Sequence, residues 1–130
     1  MTTDKLAEFL GSWKCRVWYP SKDDDGEEVT ENRMVANADG QEIVLTSEPN
    51  EEGSYMVIRL EAIDDNVITA RWHETTSPTG KYAGAMYSGA GQFLADDDKR
   101  HLEGLHVGVG FDHKLNKLRI YPGRWELDRV

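Results

Sequence analysis

Cysteine is almost absent: Cys15 is the only one in 130 residues. An internal disulfide is excluded, and a lone thiol suits a reducing cytoplasm. Long apolar runs are also missing, and none approaches the roughly 18 residues of a membrane helix. The opening "MTTDKLAEFLGSW" lacks the basic head, apolar centre and cleavage site of a signal peptide. These absences predict a cytoplasmic protein. Basic residues are in deficit, with 15 Lys and Arg against 24 Asp and Glu and a formal net charge of −9. Nucleic acid and anionic membranes are therefore not expected as partners.

Catalytic signatures are lacking too. There is no nucleophile elbow, phosphate-binding loop or HExxH pair, so no catalytic residue is assigned and a non-enzymatic role is favoured. The histidines His73, His101, His106 and His113 lack metal-ligand spacing. His101 and His106, five apart, fall on opposite faces of a regular strand. The acidic run 23–28, "DDDGEE", fails as a calcium loop because Asn32 stands where a bidentate Glu is needed. No metal and no other cofactor is expected. Helix is scarce: only 3–10, "TDKLAEFL", carries an N-cap and i, i+3, i+4 spacing.

What the chain does have is turns, about every twelve residues, with strand-like runs between them. The runs are Gly11–Tyr19, Val29–Ala36, Glu42–Ser47, Ser54–Ile63, Val67–Thr75, Lys81–Leu94, His101–Phe111 and Lys117–Leu127. Short links make consecutive strands antiparallel, and closing the sheet removes both exposed edges. The predicted fold is all-β: an eight-stranded antiparallel up-and-down barrel with a short N-terminal helix, forming one domain over residues 1–130. Such a barrel holds side chains or one small ligand.

Alternation assigns faces. Trp13, Cys15, Val17 and Tyr19 are expected inside, as are Met56, Ile58, Leu60 and Ala62, and Ile68, Ala70, Trp72 and Glu74. In the seventh strand the series Leu105, Val107, Val109 and Phe111 is expected inward, which turns His106 and its neighbouring glycines outward. "SPTGKYAGAMYSGAG", residues 77–91, is unusually glycine-rich for a strand. Its small residues either bend the sheet at a barrel corner or leave interior volume. A short theme recurs as "GSW" at 11–13, "ARW" at 70–72, "GLH" at 104–106 and "GRW" at 123–125.

A helix followed by Gly11-x-Trp13 at the start of such a meander resembles the calycin superfamily of lipocalins, fatty-acid-binding proteins and avidins. That resemblance implies that Trp13 closes one end under a basic residue from near the C-terminus, Arg124 or Arg129. "W-Y-P" at 18–20, "W-x-E-x-T-S-P-T-G" at 72–80, "Y-x-G-A-x-Y-x-G-A" at 82–90, "G-x-x-V-G-x-G" at 104–110 and "G-x-W-x-L-x-R-V" at 123–130 resemble an uncharacterised bacterial barrel domain. It occurs in actinobacteria, often C-terminal to a helix-turn-helix regulator segment, and carries Trp where this chain has His106. The resemblance implies a sensor-like module without the DNA reader.

The expected function is an intracellular carrier or sensor of a small apolar or aromatic molecule. Tyr19, Met56, Trp72, Glu74, Tyr82, Met86 and Tyr87 are the expected lining. One alternative is a small cyclase- or isomerase-type barrel that positions its substrate beside an acid such as Glu74. The other is a filled barrel that serves protein interaction. A homodimer remains open.

Overall fold

The computed structural model describes residues 7–20, 26–48, 54–62, 64, 66–76, 86–112 and 115–130. Eight strands follow one 3-10 turn at Ala7–Phe9: β1 Gly11–Pro20, β2 Glu27–Asp39, β3 Glu42–Ser47, β4 Tyr55–Ala62, β5 Val67–Thr75, β6 Met86–Ala95, β7 His101–Asp112 and β8 Lys117–Arg129. Each pairs with the next, and β1 pairs antiparallel with β8, so the sheet is a closed barrel. The all-β, eight-stranded antiparallel architecture is the predicted one. Of the expected N-terminal helix, the described part is that single turn; residues 1–6 and the turn at 77–80 lie outside the described residues.

Turn chemistry sets the hairpins. Asp39 faces Glu42 across the β2–β3 turn, where Gly40 has φ +62°. Positive φ at the first central position is what a two-residue Gly-x hairpin requires. At the β7–β8 hairpin Asn116 takes φ 54°, a conformation asparagine tolerates better than most residues.

One end of the barrel is closed by apolar packing. Trp13, Met34, Ile43, Leu60, Ile68, Leu102 and Leu127 are fully buried there. Phe9, carried in by the 3-10 turn, packs on Trp13 with ring centroids 6.1 Å apart. The indole N–H of Trp13 donates to the Phe9 carbonyl at 2.7 Å, so this buried donor is satisfied locally. The Arg129 guanidinium lies 4.5 Å from the Trp13 ring centroid. It donates to the Leu10 carbonyl at 2.7 Å and also to the Glu8 carbonyl. Gly11 fits beneath this arginine: its φ is +115°, and a Cβ there would stand 3.2 Å from Arg129 Nη1. Arg124, the other candidate cover, instead stacks 4.2 Å from the Trp18 ring on the outer face.

The inner faces of β1, β4 and β5 are as expected, with Cys15, Val17, Ile58 and Ala70 buried. The β7 expectation is overturned. Leu105 is 66% exposed and Val109 51%, whereas His106 is 6% exposed. Phe111, the fourth residue of that expected series, lies outside the residues whose side chains are described. The apolar alternation on β7 therefore marks its outer face. The inner face of β7 is small because neighbouring strands fill it.

Candidate functional site

The glycines on β6, β7 and β8 are seats for rings. A Cβ on Gly108 would lie 2.4 Å from Trp72 Cζ2, one on Gly91 2.6 Å from Trp125 Cζ2, and one on Gly123 2.5 Å from His106 Nε2. None of these distances is open to a real side chain: at Gly108 the ring is nearest, whereas at Gly91 and Gly123 a carbonyl of a facing strand (Leu105 O at 2.4 Å, Trp18 O at 2.2 Å) is nearer still and the ring shares the space. The resulting aromatic column is drawn from four strands. Phe93 of β6 stacks on Trp125 of β8 at 4.3 Å. Trp125 meets His106 of β7 at 5.3 Å, and His106 meets Trp72 of β5 edge-on at 6.0 Å. The indole N–H groups of Trp72 and Trp125 donate at 3.2 Å to the carbonyls of Val107 and Gln92.

His106 also finishes the barrel seam. The β1–β8 ladder runs from Trp13↔Arg129 to Val17↔Trp125. Immediately beyond it, His106 Nε2 lies 2.8 Å from the Trp18 carbonyl oxygen. A carbonyl only accepts, so Nε2 carries the proton. Burial lowers the His106 pKa, against the opposing effect of the Trp18 and Arg124 carbonyls, and the ring is neutral at pH 7.

Above this column the described residues leave a space. A cavity at the end opposite Trp13 is walled by Tyr19, Trp72, His106 and Trp125, with Val17, Thr30, Met56 and Glu74 completing it. About 50 Å³ is open to the centre of a water-sized sphere, room for roughly three to five waters. Glu74 is the one carboxylate of the wall. Its carboxyl is held above the usual range by loss of hydration on burial. Its neighbours across the sheet are Met56 on β4 and Tyr87 on β6. The Tyr87 hydroxyl is likewise raised, by burial first and by the Glu74 charge second. Cys15 lies deeper, and burial pushes its thiol up to about 12, so it is inert as a nucleophile at neutral pH.

This barrel has a solved counterpart. A structure described as EF1p2_mFAP2b bound to DFHBI superposes with a TM-score of 0.67, covering 100% of both chains at 8% sequence identity. At that identity the likeness shows the fold. No protein-family model and no curated protein matches the chain.

Of the expected lining residues, Tyr19, Met56, Trp72 and Glu74 share the cavity wall, and Tyr87 is half-buried beside Glu74. Met86 is 65% exposed; it precedes Tyr87 in the strand and so takes the opposite face. Tyr82 lies outside the described residues. Sequence reasoning missed His106 and Trp125 as wall residues. The recurring theme held the signal, since Trp13, Trp72, His106 and Trp125 all close one of its copies and all point inward.

Away from the cavity, the outer wall of β1 and β8 is ionic. Arg16 Nη2 reaches Glu126 at 3.1 Å and Asp128 at 3.0 Å, while Asp128 also meets His101 Nδ1 at 2.6 Å. That hydrogen bond raises the His101 pKa against the opposing effect of burial. His101, Glu103 and Glu126 could each turn one ligand atom to a shared point. The raised His101 pKa and the Arg16 pairing account for this cluster as an ion-pair network. Among the described residues no helix is long and apolar enough to cross a membrane.

Proposed function

We propose that the barrel is a carrier or sensor that binds a small, mostly apolar or aromatic molecule at its open end. The observation that supports this most directly is the asymmetry of filling. One end is sealed by Phe9, Trp13 and Arg129, while the other keeps a cavity walled by rings, a thioether and one carboxylate. Apolar walls with a few polar groups are the usual make-up of small-molecule sites. The fold neighbour bound to DFHBI supports the idea that a barrel of this shape can hold a ligand. The Gly11-x-Trp13 motif under Arg129 supports a calycin-like ancestry, and the actinobacterial sensor-type domain and a cytoplasmic location belong to the same proposal. The resident space is small, so the ligand inserts one end and leaves the rest at the mouth.

The test is the mass of the purified protein under native and then denaturing conditions. An excess mass that disappears on denaturation supports the proposal and begins to identify the ligand. Bare chain mass, followed by failure of small aromatic molecules to change tryptophan emission, overturns it.

A filled barrel that serves protein interaction is favoured by a different observation. Leu105, Val107, Val109, Leu118 and Ile120 form an exposed apolar row on the outer face of β7 and β8. Sedimentation at increasing concentration tests this reading through the homodimer it implies. The enzyme reading needs a titrating group such as Glu74 or a Tyr hydroxyl, and unchanged turnover in Glu74→Gln would remove Glu74 from it.

A further inference from the structure

The electrostatics of the cavity wall narrow the ligand class. Three wall residues can titrate: Tyr19, Glu74 and His106. His106 is neutral, with Nε2 committed to the Trp18 carbonyl. Glu74 is the one carboxylate among the described wall residues. The groups facing it from β4 and β6, Met56 and Tyr87, offer no positive charge. Among the described residues no ion pair joins a cation to Glu74. The arginines seen to stack on rings are not among the wall residues: Arg16 and Arg124 lie over Trp18 outside the barrel, Arg129 over Trp13 at the closed end, and Arg119 over Tyr121 at 5.2 Å on β8.

A half-buried carboxylate with no cationic partner among the described residues is costly to ionise, and an entering cation removes that cost. Ring faces beside it attract the same cation through their quadrupoles, and Tyr19 and Trp72 share this wall. An anionic ligand would meet Glu74 within a chain of formal charge −9. We infer that the ligand of the open-end cavity is an organic cation, an ammonium or amidinium on an apolar body, with its charge against Glu74 and its body against Trp72 and Met56. Glu74 lies one residue from the open end of β5, so the charged head sits toward the mouth and the apolar end reaches inward toward Trp72. This inference rests on the ligand-binding proposal.

The experiment titrates the full chain with benzylammonium, benzyl alcohol and benzoate, reading tryptophan emission and calorimetric heat. The three probes share a ring and differ in charge. The expected result is benzylammonium bound at least about tenfold more tightly than benzyl alcohol, the scale of a charge-assisted contact, with benzoate weakest. Glu74→Gln, checked for folding by its thermal melt, should abolish that preference. Equal binding of benzylammonium and benzyl alcohol by the unmodified protein would overturn the inference and leave a neutral-ligand site standing. So would a preference that survives in Glu74→Gln. No binding of any probe at millimolar concentration would count against both the inference and the site.

Discussion

The two ends of this barrel follow the same inward–outward alternation and close differently. At the Trp13 end, several strands contribute a large side chain: Met34, Ile43, Leu60, Ile68, Leu102 and Leu127 are buried together. Phe9 and Arg129 then cover the indole from below. At the opposite end β6, β7 and β8 contribute glycines, and the rings of Trp72, Trp125 and His106 lie across them. In the first arrangement these strand residues are 0% exposed. The second leaves a small space and one carboxylate beside it. The lesson is about volume. A glycine on a barrel wall need not mean a bend or a void, because the missing side chain is often replaced by a neighbour's.

The largest test of this difference is a pair of tryptophan truncations. Trp13→Ala removes a fully buried indole and should cost about 3–5 kcal/mol. Trp72→Ala removes a half-buried one at the cavity and should cost less, about 1–3 kcal/mol. Urea unfolding of both measures the gap, and equal losses would mean that the two ends are packed alike.

Next in size is the seat itself. Gly108→Ala places a Cβ where Trp72 Cζ2 now lies and should cost about 1–3 kcal/mol by overpacking. Because the clash is with one ring, the loss should shrink when Trp72→Leu is added. A double-mutant cycle reads that coupling. Strict additivity would show that Gly108 serves the backbone and not the ring.

Arg129→Gln tests the lid at the closed end. It removes the ring contact with Trp13 and a hydrogen bond to the Leu10 carbonyl, together about 1–2 kcal/mol. Calorimetric melting of the variant measures the loss. No change would mean that Phe9 alone closes this end.

The smallest effect concerns pH and has an inverted sign. Glu74 has a raised pKa in the folded state because burial removes hydration. The folded protein therefore binds this proton more tightly than the unfolded chain does, and stability falls as pH rises from about the ordinary glutamate value of 4.3 through the raised one. Glu74→Gln should then melt higher than the unmodified protein at pH 7, and the difference should vanish below pH 4. A variant that melts lower at pH 7 would show that the carboxylate is stabilised in the fold.

Much of this architecture was legible from local chemistry. The β3 and β5 boundaries agree with the turn signals on either side, Glu42–Ser47 and Val67–Thr75. The inward faces of β1, β4 and β5 followed from alternation. The candidate site was only partly legible. Tyr19, Met56, Trp72 and Glu74 share a wall because each sits on a strand with a clear apolar face. Met86 turned outward because β6 offers small residues on both faces and alternation has little to grip. On β7 the alternation pointed the wrong way. Leu105, Val107 and Val109 are apolar but exposed, and hydrophobicity along one strand cannot show that Trp72 and Trp125 already occupy the volume inside.

By itself the sequence determined the all-β class, the eight strands, the antiparallel links and the inward face that carries Trp13. These depend on turn residues and on the alternation of side chains along each strand. Only the tertiary structure decided that β1 meets β8, that His106 caps their seam and that the glycines hold rings from other strands. Each of those outcomes depends on which residues face one another across the sheet. That pairing is set by the packing of the closed barrel, and no single strand encodes it.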